Sequence, residues 1–316
     1  MKQSVFFAFV LLCSALGASE MEKRFRKVEN KSEGKQIRNV DFIYLINLDQ
    51  RPEKLALSLK ELETYGIIPH RLPAVYGWGL PKEVLDDVGV KFAPGMELYQ
   101  WAIQYPNRKN REREFEFLRE SSFGNTFFSP CTSLGAIGCS LSHLSVLQDA
   151  YDSGYETIWV LEDDISVKAT PHYLADLIDK LDELVGKEGW DVLYTDIDTQ
   201  DYWIYSEKND FQSNLRGLRM DLFWRPDLPP PNPFELTKRT IVSNDFLKIG
   251  SRMRTHSMII RRSGIEKILQ FEKEHGMFVP IDHEIALVPN IRLYTLRYLL
   301  VTSVPSLSDT HERLLD

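Results

Sequence analysis

The stretch "TIWVLEDDISV", residues 157–167, decides the fold, because an apolar run in it ends abruptly in charge. A run this apolar is typical of a strand that is covered on both faces of a sheet. Three adjacent carboxylates follow it: Glu162, Asp163 and Asp164. Like charges that are packed together repel one another and raise each other's pKa. The stretch therefore predicts a buried strand whose acidic end requires an explanation.

Strands and helices alternate upstream of this stretch. The apolar run "VDFIYLINL" (residues 40–48) predicts another buried strand, a helix follows between Pro52 and Gly66, and "HRLPAV" predicts the next strand. A β-α-β opening of this kind is typical of a doubly wound α/β sheet with helices on both faces.

The alternation continues downstream. The segment "HYLADLIDKLDELVG" predicts a helix capped by Thr170 and Pro171. The segment "THSMIIRRSGIEKILQFEKEHG" predicts a strand and then a helix, which Ser263 caps and Gly276 closes. We therefore expect one α/β sheet to extend through most of the chain.

Three other segments complete this outline. The segment "WDVLYTDID" (190–198) predicts a further strand that ends in acids, Asp196 and Asp198. The proline-rich "RPDLPPPNP" (225–233) favours an extended connection and excludes a helix. The charged run "NRKNREREFEFLRE" (107–120) predicts an exposed helix face.

The first 39 residues divide into two segments. Residues 1–19 begin with one lysine, continue with an apolar run and end in small residues, which is the pattern of a secretory signal peptide. Because a membrane span needs about 20 apolar residues, we expect no stable membrane span, with an uncleaved anchor as the alternative. Residues 20–39 predict a solvated polar arm, and one domain is expected over 40–316. The expected location is extracytoplasmic: lumenal in a eukaryote, periplasmic or secreted in a bacterium.

Composition limits the class of function. A formal net charge of −8 over 316 residues argues against a nucleic-acid partner, which normally meets a basic face. Outside the signal segment, Cys131 and Cys139 can pair in an oxidising compartment, but two separate buried thiols are favoured. No CxxC pair or Cys/His cluster in the sequence suggests zinc.

The acidic strand end has two interpretations. Ligands of open α/β sheets bind beyond the carboxyl ends of the strands. In an extended chain alternate residues share a face, so Glu162 and Asp164 are expected to point one way and Asp163 the other. Two carboxylates so placed can hold one hard divalent cation together with a substrate's phosphates. The other interpretation is a solvated turn with acids at a helix start, and the residues alone leave both open.

Five segments occur in the order seen in glycosyltransferase family 25: "FIYLINLDQRPEK", "LGAIGCSLSHLSV", "WVLEDDISV", "HSMIIRRSGIEKIL" and "PIDHEIAL". The resemblance runs from about Val40 to Asp309. It implies a GT-A-like fold, a Rossmann-type mixed sheet flanked by helices. It also implies inverting transfer of a sugar, galactose as the first guess, from a UDP-sugar to a hydroxyl acceptor. The acceptor classes are a glycan, a lipooligosaccharide or a protein, and the implied metal is Mn²⁺ (or Mg²⁺).

Carried over position by position, the resemblance implies site residues. Asp164 and Glu162 match the metal-binding element. For His143, a histidine that is satisfied within the core is the alternative. The implied donor-binding positions are Asn47, Arg51, Gly138, Ser140, His143, Glu162 and Asp163.

The acceptor side of the resemblance rests on Asp282. This residue of "PIDHE" matches an acid near the acceptor and is the candidate general base, which would take the proton of the acceptor hydroxyl. A capping or surface aspartate is the alternative. Asp309 in "PSLSDTHE" matches a family acid, and His311 adds a further candidate metal ligand.

The chain departs from the family at Tyr76. Family members often carry an acid before the glycine of an "A-V-D-G"-like stretch, whereas this chain reads Ala74-Val75-Tyr76-Gly77. Together with the export signal, the departure keeps open a secreted, catalytically silent member that binds carbohydrate or another protein. A metal-dependent nucleotidyltransferase or hydrolase is a third interpretation, because acidic strand ends alone do not distinguish phosphoryl from glycosyl chemistry.

Overall fold

A computed structural model describes residues 20–31, 36–96, 123–199, 223–304 and 309–310. The strands within them are β1 (Phe42–Asn47), β2 (His70–Pro73), β3 (Val90–Lys91), β4 (Thr126–Phe127), β5 (Thr157–Glu162), β6 (Ile165–Val167), β7 (Val192–Tyr194), β8 (Arg239–Ile241), β9 (Phe246–Ile249), β10 (Ser257–Arg261), β11 (Leu293–Leu296) and β12 (Val301–Ser303). The helices are α1 (Pro52–Glu63), α2 (Lys82–Val88), α3 (Leu134–Asp152), α4 (Tyr173–Val185), α5 (Pro233–Thr237), α6 (Arg262–His275) and α7 (Ile281–Leu287).

Eight of these strands form one mixed sheet in the order β2-β1-β5-β10-β7-β11-β9-β8. β1 pairs in parallel with β2 and β5, and β7 pairs in parallel with β11. β10 and β9 run against their neighbours. Two short antiparallel pairs, β6 with β12 and β3 with β4, lie outside the sheet. The predicted Rossmann-type α/β class, a mixed sheet with flanking helices, is confirmed.

Apolar side chains cover both faces of the central strands. Every residue of β1 is buried, and β5 is buried as far as Leu161. Tyr44 and Val160 face one core cluster with apolar residues of α3 and α6, whereas Ile43 and Trp159 face another with residues of α1 and α4. This two-sided burial is the physical reason for the continuous apolar runs in the sequence.

Strand direction brings one upstream segment to the acidic end of β5. β10 is antiparallel to β5, with Ser257 opposite Leu161. The residues just before β10 therefore lie beside the carboxyl end of β5, where the backbone N–H of Glu162 donates to the carbonyl of His256 at 2.9 Å. The edge formed by the carboxyl ends of β1, β2 and β5 thus also includes the start of β10.

Two predicted helix caps are wrong, although the predicted helix ends at Gly66 and Gly276 are confirmed. α4 begins at Tyr173 without a side-chain cap, and Thr170 contributes only its carbonyl, which accepts from the N–H of Tyr173 at 3.2 Å. Ser263 lies within the first turn of α6 and donates to Asp191 instead, with an Oγ–Oδ1 distance of 2.6 Å. Gly66 and Gly276 have φ angles of +68° and +72°, which favour glycine.

The proline-rich segment contains a turn at 226–227 and no helix before Asn232, whose side chain caps α5 by accepting from the N–H of Phe234 at 3.0 Å. The exclusion of a helix is wrong only for Pro233, which begins α5, because a first-turn proline needs no hydrogen-bond partner. The segment is anchored at its start by the fully buried Arg225, whose Nη1 lies 2.6 Å from Oε1 of Glu284. It is therefore a connection fixed to the core.

The arm upstream of the sheet is not solvated as predicted. Met21 and Val28 are 4% and 8% exposed and belong to the core cluster that contains α3. The backbone N–H of Arg26 donates to Oγ of Ser145, a buried residue of α3, at 2.9 Å. The prediction rested on the many charged residues of the arm. It overlooked two apolar residues, seven positions apart, whose side chains pack into the core.

Other expectations can be compared directly. Neither Cys131 nor Cys139 forms a disulfide, so the favoured interpretation of two separate thiols is confirmed. Among the described residues, no helix is both long and apolar enough to cross a membrane. The signal segment and the charged run 107–120 lie outside the described residues.

Candidate functional site

The acidic triplet lies at the junction of the sheet and a short hairpin. β5 ends at Glu162, Asp163 and Asp164 form a tight turn, and β6 begins at Ile165. The backbone N–H of Val304, just after β12, donates to the carbonyl of Asp164 at 2.8 Å. The turn is thereby fixed between the main sheet and the β6–β12 pair.

Two adjoining cavities meet at this turn. The smaller has a volume of about 100 Å³ and lies over the carboxyl ends of β1 and β5, against one face of α3. The larger has a volume of about 530 Å³ and lies between α1 and the turn. Lys54, Asp163 and Asp164 line both cavities. The turn is therefore the wall that the two spaces share.

All three acids line the smaller cavity, so the predicted separation of Asp163 from its neighbours is wrong. The prediction assumed extended backbone through all three residues, whereas the strand ends at Glu162 and the turn redirects the two that follow. The turn thus places all three acidic residues in the lining of the smaller cavity.

Glu162 is held as a carboxylate by two neighbours. Its Oε1 accepts from Nε2 of His143 at 3.0 Å and from Oγ1 of Thr255 at 2.7 Å. Burial raises the pKa of Glu162, but the hydrogen bond and charge of His143 and the hydroxyl of Thr255 outweigh it, and the pKa is lowered. His143 is 3% exposed and is therefore both a buried histidine and part of the cavity wall.

Asp163 has the opposite electrostatics. Burial raises its pKa to about 6; the hydrogen bond from Asn47 and the charge of Lys54 oppose this rise, and the neighbouring acids reinforce it. Nδ2 of Asn47 donates to Oδ2 of Asp163 at 2.7 Å, and Oδ1 of Asn47 accepts from Nε of Arg71 at 2.9 Å. Asn47 therefore orients Asp163 from the end of β1.

Arg51 bonds with Asp309 and is not among the cavity-lining residues. Its Nε lies 3.0 Å from Oδ1 of Asp309, and Nζ of Lys54 lies 2.8 Å from Oδ2. Burial raises the pKa of Asp309, but the two cations outweigh it, and the pKa is lowered. Asp309 is thus tied to the first turn of α1, and its carbonyl accepts from Nε1 of Trp78 at 2.9 Å.

One face of α3 completes the smaller cavity. Residues one turn apart project into it: Gly135, Cys139, Ser142 and His143. Gly138 and Ser140, which were predicted to bind the donor, are buried but lie outside the cavity lining. Their donor-binding role stays a prediction without a contact that supports it.

Gly138 instead allows a close approach of backbones. A Cβ at this position would lie 2.5 Å from the nitrogen of Gly77 and 2.5 Å from the carbonyl oxygen of Val75. The N–H of Val75 also donates to Oγ of Ser142 at 2.8 Å. The loop that carries Tyr76 into the cavity lining is therefore clamped on α3.

Asp282 lies in the first turn of α7 and accepts from the backbone N–H of Arg254 at 2.9 Å. Its side chain is 19% exposed. Its charge acts on the half-buried Cys139 thiol together with those of the strand-end acids, and burial first, then these charges, raises the pKa of that thiol. Asp282 is not among the residues that line the two cavities, and its role as general base stays a prediction.

Arg254 has a φ angle of +71°, a left-handed conformation that is uncommon for a residue with a side chain. This strained residue is next to two hydrogen bonds of the site. The backbone N–H of Arg254 donates to Asp282, and the hydroxyl of the following residue, Thr255, donates to Glu162. Strained backbone of this kind concentrates at functional sites. The segment before β10 thus joins the candidate base to the acidic strand end.

The second acidic strand end has a structural role. Asp196 is 3% exposed, pairs with Arg252, and accepts from Nε2 of His256 at 2.9 Å. Burial raises the pKa of Asp196, but the hydrogen bond of His256 and the charge of Arg252 outweigh it, and the pKa is lowered. Neither Asp196 nor Asp198 is among the cavity-lining residues.

Sequence reasoning missed Lys54, Thr255 and Cys139 as parts of this site. Lys54 stands three residues after Arg51, one helical turn, so its position was detectable once α1 was assigned. Thr255 was detectable only from the antiparallel direction of β10, which no local pattern reveals. His311 lies outside the described residues.

The acids fit a hard divalent cation by their chemistry. Carboxylate oxygens are the ligands that Mg²⁺ and Mn²⁺ prefer, and Asp163 and Asp164 are in the lining of both cavities. Glu162 fits less directly, because its Oε1 already accepts two hydrogen bonds. An ion would meet its Oε2 or displace those bonds.

Curated relatives match part of this chain. A "Glycosyltransferase 25 family member" of Aedes aegypti is 32% identical over 155 residues, which is 49% of this chain and 21% of that protein. A protein of the same description from Drosophila melanogaster is 25% identical over 170 residues, 54% of this chain and 23% of the relative. An "Inactive glycosyltransferase 25 family member 3" of Mus musculus is 27% identical over 154 residues, 49% of this chain and 21% of the relative.

The matched segments span about a fifth of the length of these relatives. The family model covers much more of this chain. Residues 40–285 match the model described as "Glycosyltransferase family 25 (LPS biosynthesis protein)". This range contains the acidic turn, the α3 face and Asp282, so the chain belongs to glycosyltransferase family 25.

Proposed function

We propose that this chain transfers a sugar, galactose as the first candidate, from a UDP-sugar to a hydroxyl of a glycan, lipooligosaccharide or protein. One observation supports this most directly: the Asp163–Asp164 turn lies at the carboxyl edge of the sheet and forms the wall between two cavities. Ligands of open α/β sheets bind at this edge. Family membership supports the reaction class, and the position of the turn at this edge supports it as the proposed donor site.

The cavity volumes indicate how a donor would be distributed. Pockets for small molecules and cofactors measure roughly 300–1,000 Å³, and the larger cavity, at about 530 Å³, falls in this range. The smaller one, at about 100 Å³, is too small for a whole nucleotide sugar. We infer that the bulk of the donor occupies the larger cavity and that one group reaches past the turn into the smaller.

Asp164 and Glu162 are the proposed ligands of a Mn²⁺ or Mg²⁺ ion, with Asp163 beside them. When bound, such an ion neutralises the negative charge that develops on the departing diphosphate. Lys54 supplies a cation of the chain at the same wall. His143 and Thr255 keep Glu162 ionised, and Asn47 orients Asp163.

Asp282 is the proposed general base. Its carboxylate takes the proton of the acceptor hydroxyl as the hydroxyl oxygen attacks the anomeric carbon, and the bond from that carbon to the diphosphate breaks. Attack from the face opposite the leaving group inverts the anomeric centre. The N–H of Arg254 fixes one oxygen of Asp282 and so orients the carboxylate for this transfer.

A catalytically silent member is the second candidate, and a specific observation favours it. Two of the matched mammalian relatives carry the description "Inactive glycosyltransferase 25 family member 3". Tyr76 also occupies the position where the family often has an acid, and it lines the smaller cavity. In that case the same cavities would bind carbohydrate without turnover.

The test is an assay for UDP release. Purified protein is incubated with Mn²⁺ and each common UDP-sugar, and we expect release from at least one donor. The variant Asp164→Asn should reduce the rate about a hundredfold or more, because it weakens binding of the ion that would balance the negative charge of the leaving group. Asp176→Asn is the matched control, since the Asp176 side chain is 79% exposed on α4.

Two outcomes would contradict the proposal. If Asp164→Asn releases UDP as fast as the control, the assignment of the turn is wrong. If no UDP-sugar binds in the presence of metal, the silent member is the better description. Because residues 1–19 match a secretory signal peptide, we also propose a secretory route, which mass analysis of the mature amino terminus would test.

A further inference from the structure

Helix α3 carries a second set of potential metal ligands, close to Glu162. Cys139 and His143 are one helical turn apart, and both line the smaller cavity. The Cys139 sulfur, a ring nitrogen of His143 and a carboxylate oxygen of Glu162 all lie within 4.8 Å of one another. Three side chains from two elements therefore converge on a volume the size of one ion.

The identity of these atoms indicates which ion they suit. A thiolate, an imidazole and a carboxylate form a mixed set of soft, borderline and hard donors, all of which bind Zn²⁺. Mn²⁺ and Mg²⁺ prefer oxygen ligands alone, such as those of Asp163 and Asp164. The site thus offers two different sets of ligands side by side.

The surroundings also favour a dication at this position. The Cys139 thiol lies within the electric field of four carboxylates: Glu162, Asp163, Asp164 and Asp282. Bringing a doubly charged cation among these groups is electrostatically favourable. A bound dication also stabilises the thiolate, so the thiol proton passes to solvent as the metal–sulfur bond forms.

We propose that Cys139, His143 and Glu162 bind a thiophilic divalent cation, with Zn²⁺ preferred, at a position beside that of the hard cation at Asp164, with which it shares Glu162. The fourth position of the tetrahedron takes a water molecule. This inference goes beyond the proposed function, because it requires neither a nucleotide sugar nor turnover. It applies equally to a catalytically silent member of the family.

Sharing of Glu162 has a consequence for the proposed enzyme. A zinc ion that binds Glu162 competes for this carboxylate with the hard cation. Zn²⁺ and Mn²⁺ are then antagonists at adjoining positions. Only this antagonism depends on the proposed function.

The test is cobalt spectroscopy on the whole protein after treatment with a chelator. Co²⁺ replaces Zn²⁺, and a cobalt–thiolate bond gives an ultraviolet charge-transfer band. We expect the band in the unaltered protein and in Cys131→Ser, and its loss in Cys139→Ser. Cys131 is the matched control because it is also a half-buried thiol outside a disulfide, and it does not belong to the three-residue cluster.

Calorimetry with Zn²⁺ supplies a second measurement. We expect His143→Gln to bind at least tenfold more weakly than the unaltered protein, with circular dichroism reporting whether the variant is folded. If His143→Gln does not fold, the Cys139→Ser comparison decides the question. A band that persists in Cys139→Ser, or the absence of a band in the unaltered folded protein, would overturn the proposal.

The two proposals fail in distinguishable ways. The cobalt band depends only on metal and protein, whereas UDP release requires a donor. A protein with the band and no UDP release is a metal-binding, silent member. A protein that releases UDP with Mn²⁺ and shows no cobalt–thiolate band has only the hard-cation position.

Discussion

At the scale of single residues, the missing side chain of Gly138 fixes the geometry of the cavity wall. The loop at Val75 and Gly77 lies so close to α3 that a Cβ on Gly138 would be 2.5 Å from two backbone atoms. Gly77 is equally constrained, since its Cβ would lie 1.9 Å from the carbonyl oxygen of Leu134. This pair of glycines determines where Tyr76 is presented.

Gly138→Ala is expected to lower the free energy of unfolding by about 3 kcal/mol, because backbone atoms on both sides must move to admit the methyl group. Denaturant unfolding measures this change. Gly79→Ala is the matched control. A Cβ on Gly79 would lie 3.2 Å from the nearest atom of the Tyr76 ring, and the atoms near it belong to this side chain and not to the backbone. Equal losses in the two variants would contradict the close-contact explanation.

Asp282→Asn tests the candidate base without removing its shape. The amide oxygen can still accept from the N–H of Arg254, but the side chain no longer takes up a proton. We expect kcat to fall by about 10²- to 10⁴-fold while the affinity for the donor is unchanged. Steady-state rates and donor binding by calorimetry are the measurements. An unchanged kcat would assign Asp282 to helix capping.

At the scale of elements, Asp191 ties three parts of the sheet region together. It precedes β7, is fully buried, and accepts from Ser263 and Lys267 on α6. It also accepts from Nη2 of Arg292, just before β11, at 2.7 Å. Burial raises the pKa of Asp191, but the hydrogen bonds, first that of Arg292, outweigh it and lower the pKa to about 2.

The pH dependence of stability follows from this shift. An aspartate has a pKa of about 3.9 in the unfolded chain, so its lowered folded value stabilises the protein above about pH 4 by roughly 2 kcal/mol. That contribution is lost as the pH falls from about 4 through about 2. Asp191→Asn should therefore be less stable than the unaltered protein at pH 7, with a difference that shrinks toward pH 2.

Urea unfolding of both proteins at pH 7, 4 and 2.5 measures this difference. Asp176→Asn serves again as control, because the Asp176 carboxylate is largely exposed and its removal should have little effect at any pH. A difference between Asp191→Asn and the unaltered protein that stays constant over the pH series would show that lost packing, and not lost charge, destabilises the variant.

At the scale of the whole molecule, the upstream arm is part of the folded body. Met21 and Val28 enter the cluster that backs α3, and Nζ of Lys31 lies 2.7 Å from Oδ2 of Asp149 on that helix. Asp149 also accepts from the hydroxyl of Tyr44 on β1 at 2.7 Å. The arm thus supports the helix that carries the cavity face.

Met21→Ala is expected to lower the free energy of unfolding by about 2 kcal/mol, since a buried side chain is lost from the core. Lys27→Ala is the control from the same arm, because its ion pair with Asp152 is solvent-exposed and should contribute less than about 0.5 kcal/mol. If Met21→Ala is as stable as the control, the arm does not pack on α3 in solution.

The local patterns predicted the fold class well for a physical reason. The apolar runs of β1 and β5 and the glycine ends of α1 and α6 are local features with one structural meaning. The failed caps at Thr170 and Ser263 show the limit of this approach. Ser263 is a good capping residue by type, but the buried Asp191, far away in sequence, takes its hydroxyl.

The site was predictable only in part. Glu162, Asp163 and Asp164 stood out because charge at the end of an apolar strand is unusual, and the structure places all three on one cavity. Their individual environments depend on residues brought in by topology: Thr255 through the antiparallel β10, and His143 through the packing of α3. The spacing of residues in the sequence does not reveal these contacts. The sequence therefore identified the three acids but did not predict the direction in which the pKa of each is shifted.

The contact between Arg51 and Asp309 has a consequence for biosynthesis. The two residues are separated by 258 positions, so Arg51 leaves the ribosome long before its partner is made. At about 5–20 residues per second, that interval lasts roughly 10 to 50 seconds. Strand β1 and helix α1 can form early from local contacts, whereas the ion pair that closes this wall must wait. In a nascent chain this part of the cavity wall is therefore completed only after all eight strands of the sheet have been synthesised.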